Sequence, residues 1–336
     1  MISNIGRRAF LARLGGAAAA SSLLRARAVR AQQPALPVVA FINGGSPDIS
    51  ALYAAAFRKG LNETGIIEGQ NVTVEYHWLE GHYDRLSALM ADLVRRQVAV
   101  IATPGSIPVA LAAKAATATI PIVFGAGEDP VKLGLVASLA RPEGNATGIN
   151  FFIQEVTAKR LRLLHDLVPK AVRIAVLVNP ASASIAESTI RDTQEAAPTI
   201  GLQIQIFNAT TIDEIDAAFT ALARGRLDAL VVVPDAFFAS RAVQFATLTA
   251  RDRIPAAYTI RDYVAAGGLM SYGTDLEDMF HQVGVYTGNI LKGAKPADLP
   301  VAQSTKFEFA INLQTARALG IEVRPDVLSI ADEVIE

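Results

Sequence analysis

Five stretches of small, polar or acidic residues each follow a short apolar run. They are Asn43-Gly44-Gly45-Ser46-Pro47-Asp48, Thr103-Pro104-Gly105-Ser106, Gly125-Ala126-Gly127-Glu128-Asp129-Pro130, Asn179-Pro180-Ala181-Ser182 and Pro234-Asp235. Glycine lets backbone N–H groups come close to a ligand, and the start of a following helix favours an anion. Such N–H groups, together with the hydroxyls of Thr103 or Ser106, could hold a carboxylate. An ammonium needs an acidic partner, and Glu128, Asp129 and Asp235 are the candidates. Asn43, Ser46 and Asn179 complete the polar set. Taken singly, these residue types also serve as helix caps and turns. Taken together, they gather where strands end, which is where open α/β sheets bind ligands.

The motifs of chemistry are missing from the same loops. A dinucleotide fingerprint needs Gly-x-Gly-x-x-Gly directly after a strand. Asn43-Gly44-Gly45-Ser46 does not supply it, and Gly125-Ala126-Gly127 lacks the third glycine in phase. There is no Walker loop and no Gly-x-Ser-x-Gly elbow. His77, His82, His165 and His281 show no metal-ligand spacing. Ser182 and Ser184 have no evident histidine partner. Glu128 and Asp129 are neighbours, whose side chains usually point apart, so they do not make an acid–base pair. Binding without catalysis, cofactor or metal is the expectation.

The elements that must position these loops alternate between two periods. Strands are expected at Pro37 to Ile42, Val72 to Trp78, Val98 to Ala102 and Ile120 to Phe124. Helices are expected at Ile49 to Thr64, Tyr83 to Arg96 and Pro108 to Ala118. In the second of these, Leu86, Leu89, Met90, Leu93 and Val94 form an apolar stripe. The rhythm restarts after Gly148. Helices are read at 155–167, 184–197, 212–224, 240–251 and 275–291. Strands are read at 172–178, 202–207, 229–233, 256–259 and 269–271. Val172 to Val178 is apolar except for Arg173, as in parallel sheets covered on both faces. Thr211 before Asp213 and Glu214 reads as a capped helix start. Strand–helix alternation of this length predicts α/β architecture, with parallel sheets and right-handed crossovers, in two doubly wound lobes.

The N-terminus reads as a targeting segment. Arg7-Arg8 is followed by Ala9-Phe10-Leu11, then by the small run Leu14 to Ala20, then by Ala26-Arg27-Ala28 and Val29-Arg30-Ala31. A basic start, a short apolar middle and a small-residue cut site make an export signal, here of the twin-arginine type. Residues 1–31 are assigned to it, with cleavage near Ala28 or Ala31. The apolar run is far shorter than the ~20 residues of a spanning helix. Roughly 300 residues would remain, more than one core usually holds. Hydrophobic residues make up 51% of the chain and aromatics only 7%, so the cores are aliphatic. With a net charge of −1 and no basic block after the signal, no nucleic-acid partner is expected. The absence of cysteine excludes disulfides, thiol catalysis and an acylated-cysteine anchor. A soluble, monomeric periplasmic protein is the expectation.

Longer blocks carry a resemblance. They include Gly69 to Tyr76, Asp84-Arg85-Leu86, Thr119 to Phe124, Asp129 to Pro142, Gly144 to Gly148 and Lys159-Arg160-Leu161. In the distal part they are Ala266 to Gly273, Gly293 to Pro300 and Thr305 to Asn312. With these the chain resembles the exported substrate-binding proteins of ABC transporters, and more narrowly the tryptophan/tyrosine-type transport family. Glu143 and Ala146 depart from the expected glycine and valine. The resemblance implies a type I periplasmic-binding fold, with three chain crossings forming a hinge. These are placed near Gly148 to Phe152, Tyr272 to Asp275 and Gln303 to Phe307. Lobe 1 would take 35–149 plus 275–302, and lobe 2 would take 150–274 plus 303–336.

The implied mechanism is closure of the hinge over a small carboxylate-bearing solute, an aromatic or branched amino acid first among them. The loaded protein would deliver it to a membrane permease and its ATPase subunits. Thr103 to Ser106 and Glu128 to Asp129 would hold the ligand first, and Asn179 and Asp235 would close on it. Tyr272 could line the cleft floor or pack the hinge. Phe151 and Phe152 could stack on a flat ligand or belong to the core. A ligand sensor for a chemoreceptor or sensor kinase would keep the same cleft. An α/β enzyme acting on small carboxylates would need an acid–base pair there.

Overall fold

The computed structural model describes residues 36–336, apart from positions 49, 152 and 153. The export-signal expectation and Phe152 therefore lie outside the described residues. Chain order begins with β1 (Val38–Asn43), α1 (Ala51–Glu63), β2 (Thr73–Trp78), α2 (Leu86–Arg96), β3 (Val100–Thr103), α3 (Ile107–Ala116), β4 (Ile122–Ala126) and β5 (Ala146–Phe151). Next come α4 (Gln154–Leu167), β6 (Arg173–Val178), α5 (Ala183–Ala196), β7 (Gln203–Asn208), α6 (Ile212–Gly225), β8 (Ala229–Val232), α7 (Ala236–Ala239), α8 (Ala242–Asp252), β9 (Ala256–Tyr258), α9 (Arg261–Ala265) and β10 (Met270–Thr274). The last elements are α10 (Leu276–Leu291), β11 (Ala302–Ser304), β12 (Phe307–Asn312), α11 (Leu313–Leu319), α12 (Pro325–Leu328) and β13 (Glu333–Ile335).

These strands form two sheets. The first has the order β11-β5-β4-β3-β1-β2 and is parallel throughout. The second has the order β13-β12-β10-β9-β8-β6-β7. It is parallel except where β10 runs against β12. The uniformly parallel expectation fails at that pair for a topological reason. β10 travels toward the crossing at Thr274, and β12 enters from the crossing after Ser304, so the two must run in opposite directions. The chain leaves one sheet for the other after Phe151, after Thr274 and after Ser304.

Burial follows the parallel arrangement. β1, β3, β4 and β8 are buried along almost their whole length, because helices cover both faces. One face of the first sheet packs Ile42, Ile101, Phe124, Met90 and Leu93 into a cluster with α2 and α3. The other face packs Phe41, Val39 and Val123 against Phe57, Leu61, Phe280 and Val283 of α1 and α10. The second sheet has its own core around Val176, Leu230, Phe219, Phe245 and Tyr258.

α1 and α10 lie far apart in sequence yet touch backbone to backbone. A β-carbon on Gly60 would stand 2.0 Å from the His281 carbonyl oxygen, and one on Gly284 would stand 2.1 Å from that of Phe57. Only glycine permits that approach. The expected cap on α6 is present: Thr211 accepts from the Glu214 N–H at 3.3 Å, and the Glu214 carboxylate accepts from the Thr210 N–H at 2.6 Å. Asp275 caps α10 in the same way, accepting from the Asp278 N–H at 2.9 Å.

Candidate functional site

In the first sheet β4, β3 and β1 are neighbours, so their carboxyl-end loops meet. Asn43 ends β1. Its Nδ2 donates to the Pro104 carbonyl at 3.1 Å, and its Oδ1 accepts from the Gly45 N–H at 2.7 Å. One end of this side chain thus fastens the loop after β1 to the loop after β3, and the other holds the first loop's own turn. The Gly105 N–H donates to the Gly125 carbonyl at 3.0 Å, which ties the β3 loop to the β4 loop. Asn150 completes the frame, donating to the carbonyls of Ala126 at 3.0 Å and Glu128 at 2.8 Å.

Inside this frame two hydroxyls are shut away from solvent. Thr103, the last residue of β3, is 0% exposed, and Ser106, just before α3, is 4% exposed. Neither Oγ finds a hydrogen-bond partner among the described residues. Ser106 occupies the N-cap position with extended backbone, yet its side chain does not cap α3. The first N–H groups of a helix have no partner within it. An uncapped helix start with two unpaired buried hydroxyls beside it is suited to an anion.

Tyr83 reaches the same place from the turn before α2. A β-carbon on Gly44 would lie 2.5 Å from its Oη and 3.5 Å from Ser106 Oγ. Tyr83 is not among the residues the sequence points to; the one signal for it is Gly44, beneath its hydroxyl. Ser46 is half-buried beside it, and its carbonyl accepts from the Ser50 N–H at 3.1 Å. Glu128 is half-buried at the end of the β4 loop. Asp129 is exposed, and its Oδ1 accepts from the Val131 N–H at 2.9 Å. One oxygen of Asp129 therefore serves its own turn.

In the second sheet β9, β8 and β6 are neighbours. Asn179, buried after β6, donates from Nδ2 to Asp235 Oδ1 at 3.1 Å and accepts from the Ala181 N–H at 3.0 Å. Asp235 also accepts from the Phe238 N–H at 3.0 Å and, through Oδ2, from the Ser182 hydroxyl at 2.7 Å. The structure thus brings Asn179, Ser182 and Asp235 into one network. Arg241 lies over the Phe237 ring at 5.7 Å, and its buried Nε has no partner among the described residues.

Tyr272 sits elsewhere, beside the crossings. Its ring stacks on Phe307 at 6.1 Å and meets Phe309 edge-on at 6.5 Å, with Lys159 Nζ at 5.5 Å from its centroid. Its carbonyl accepts from Nε of the buried Arg160 at 2.8 Å. Burial pushes the Arg160 guanidinium down to about 10 and raises the Tyr272 phenol. Phe151 packs partly into the core of the first sheet.

The carboxyl ends of the two sheets meet across a hydrogen bond. Tyr53, in the first turn of α1, donates to Asp262 Oδ2 in the first turn of α9 at 3.1 Å. Burial raises both groups, and Asp262 adds to the rise at Tyr53. Among the described residues, no group of three or more His, Cys, Asp or Glu is placed to hold a metal ion, and no helix is long and apolar enough to cross a membrane.

Two lobes, each a doubly wound sheet, joined by three crossings and facing each other with their polar loop ends, define a binding protein of the type I periplasmic-binding fold. The chain belongs to the ABC transporter substrate binding protein family, whose model matches residues 36–335. A curated relative, the "Tyrosine-binding protein" of Clostridioides difficile (strain R20291), is 27% identical over 266 residues, covering 79% of this chain and 76% of that one. The solved ABC domain from Streptococcus pneumonia in complex with L-Trp is 25% identical, with a TM-score of 0.81, over 90% of this chain and 100% of that one. The ligand-free, open structure of a substrate-binding protein with adhesive properties from Clostridium difficile is also 25% identical, with a TM-score of 0.69, over 89% of this chain and 99% of that one.

Proposed function

We propose that this protein is the solute-capturing component of an ABC importer, working outside the cytoplasm on an aromatic amino acid. One lobe is built on each sheet. Closure of the lobes over the solute produces the form that a membrane permease and its ATPase subunits would receive. The protein carries out no reaction on its cargo.

The observation that carries this reading is the pair of unpaired hydroxyls on Thr103 and Ser106 at the uncapped start of α3. A buried polar group without a partner costs about 1–3 kcal/mol. A ligand carboxylate placed there would satisfy both hydroxyls and the helix N–H groups together. Glu128 and the Asn179–Ser182–Asp235 network supply negative charge for an ammonium on the two sides of the gap. Two relatives named for tyrosine or solved with L-Trp support an aromatic side chain. At equal identity the fold matches the L-Trp complex better than the open ligand-free structure, which supports a closed arrangement here.

A thermal-shift screen against amino acids and small carboxylates tests the proposal. L-Tyrosine or L-tryptophan is expected to raise the melting temperature, because a ligand that binds only the native form stabilises it. If neither moves it while a different solute does, the aromatic assignment is wrong.

A further inference from the structure

Tyr53 and Asp262 stand 209 positions apart, one in each lobe, and each is fixed by its own side. The Tyr53 ring lies flat on Phe280 of α10, with centroids 5.0 Å apart and planes at 22°. That stacking sets the direction of the hydroxyl. On the other lobe, α9 is anchored by Arg261, whose Nε donates to Glu333 of β13 at 2.7 Å and whose Nη2 also pairs with Glu333. Glu308 of β12 lies 3.7 Å from the same guanidinium. Asn312 holds the far end of α9, donating from Nδ2 to the Val264 carbonyl at 3.3 Å. Donor and acceptor are therefore held in place before they meet. Their bond needs the lobes together, and it uses no atom of a ligand.

We infer that Tyr53 and Asp262 form a closing contact that lets the empty protein populate the closed arrangement, and so sets solute affinity without touching the solute. They are positioning residues. The inference rests on the two-lobe capture reading, but not on which solute is captured. Affinity scales with the fraction of molecules already competent to bind, so a contact that favours the closed form tightens binding of any cargo. Loss of the contact should appear as faster dissociation, because the closed complex is the state it stabilises.

The experiment compares the full-length mature protein with Tyr53→Phe, Asp262→Ala, Asp262→Asn and the double variant Tyr53→Phe/Asp262→Ala. Small-angle scattering of each ligand-free protein reads the lobe separation. Titration with L-tyrosine and L-tryptophan reads affinity and dissociation rate. Tyr53→Phe and Asp262→Ala are expected to enlarge the ligand-free particle and to weaken binding by about fivefold, the usual worth of one hydrogen bond. Asp262→Asn keeps an acceptor oxygen and is expected to behave as the parent. The double variant is expected to be no worse than either single change. An unchanged scattering profile in Tyr53→Phe, or fully additive losses in the double variant, overturns the inference. Should neither amino acid bind the parent protein, the scattering comparison still decides, and only the cargo assignment fails. Urea unfolding of the ligand-free variants separates a general loss of stability from a shift in closure: similar midpoints with altered scattering support the contact, and altered midpoints with unaltered scattering overturn it.

Discussion

The hydroxyl of Tyr83 stands over the α-carbon of Gly44, where a methyl group would come within 2.5 Å of it. The loop after β1 can pass there only because residue 44 has no side chain. Gly44→Ala is expected to displace Tyr83 and the loop, destabilising the fold by about 1–3 kcal/mol as overpacking does, and to weaken solute binding. Adding Tyr83→Phe should restore much of the stability, since the next atom, Cζ, lies at 3.4 Å. Urea unfolding and calorimetric titration of both variants check this. Equal stability of parent and Gly44→Ala would show that the contact relaxes at no cost.

Thr103→Val and Ser106→Ala should separate binding from stability. Each removes a buried hydroxyl that has no partner among the described residues. The ligand-free melting temperature is expected to stay level or rise. Affinity for the carboxylate-bearing solute is expected to fall roughly tenfold or more, since hydrogen bonds to charged groups are worth about 1.5–3 kcal/mol. Thermal shift with and without solute reads both quantities. A large drop in ligand-free stability would mean that the hydroxyls serve the fold instead.

Glu308 should make stability depend on pH. Burial raises its carboxyl to about 7, partly offset by Arg261. Asp275, Glu333 and Asp332 also act on it with like charge, and Tyr53 faces it from α1. The folded form therefore holds a proton that the unfolded form releases near the ordinary carboxylate value. Through this group, stability is highest below that ordinary range and declines as pH rises toward about 7. Glu308→Gln is expected to be more stable than the parent at mildly alkaline pH, with the difference shrinking in acid. A difference that stays constant across a urea-unfolding pH series contradicts this account.

Local pattern carried much of the architecture. The apolar run of β6 and the stripe on α2 follow from covered sheets and amphipathic helices, and both are found where the sequence places them. The loops at strand ends were visible as well, because turn chemistry is local. What each side chain does within a loop was not. Asn43 and Asp129 have the right type for a ligand contact, but their type does not show that backbone groups engage both polar atoms of Asn43 and Oδ1 of Asp129. Tyr272 reads equally as cleft or hinge, and its stacking on Phe307 depends on a pairing with β12 that no local period encodes. Tyr53 and Asp262 could not be matched at all, because their bond depends on how two sheets face one another. The distant packing of α10 on α1 left one trace, the Gly284 and Gly288 spacing on a single helix face.

The interleaved connectivity bears on how this protein is made. α10 and β11 belong to the first sheet but follow nearly all of the second. A nascent chain that stops short of Leu276 has α1 over Val39 and Phe41 but lacks Met279, Phe280 and Val283 of α10, which complete that layer. Neither layer is complete before the final segments leave the ribosome, so a half-synthesised molecule keeps part of its apolar core open to water until then.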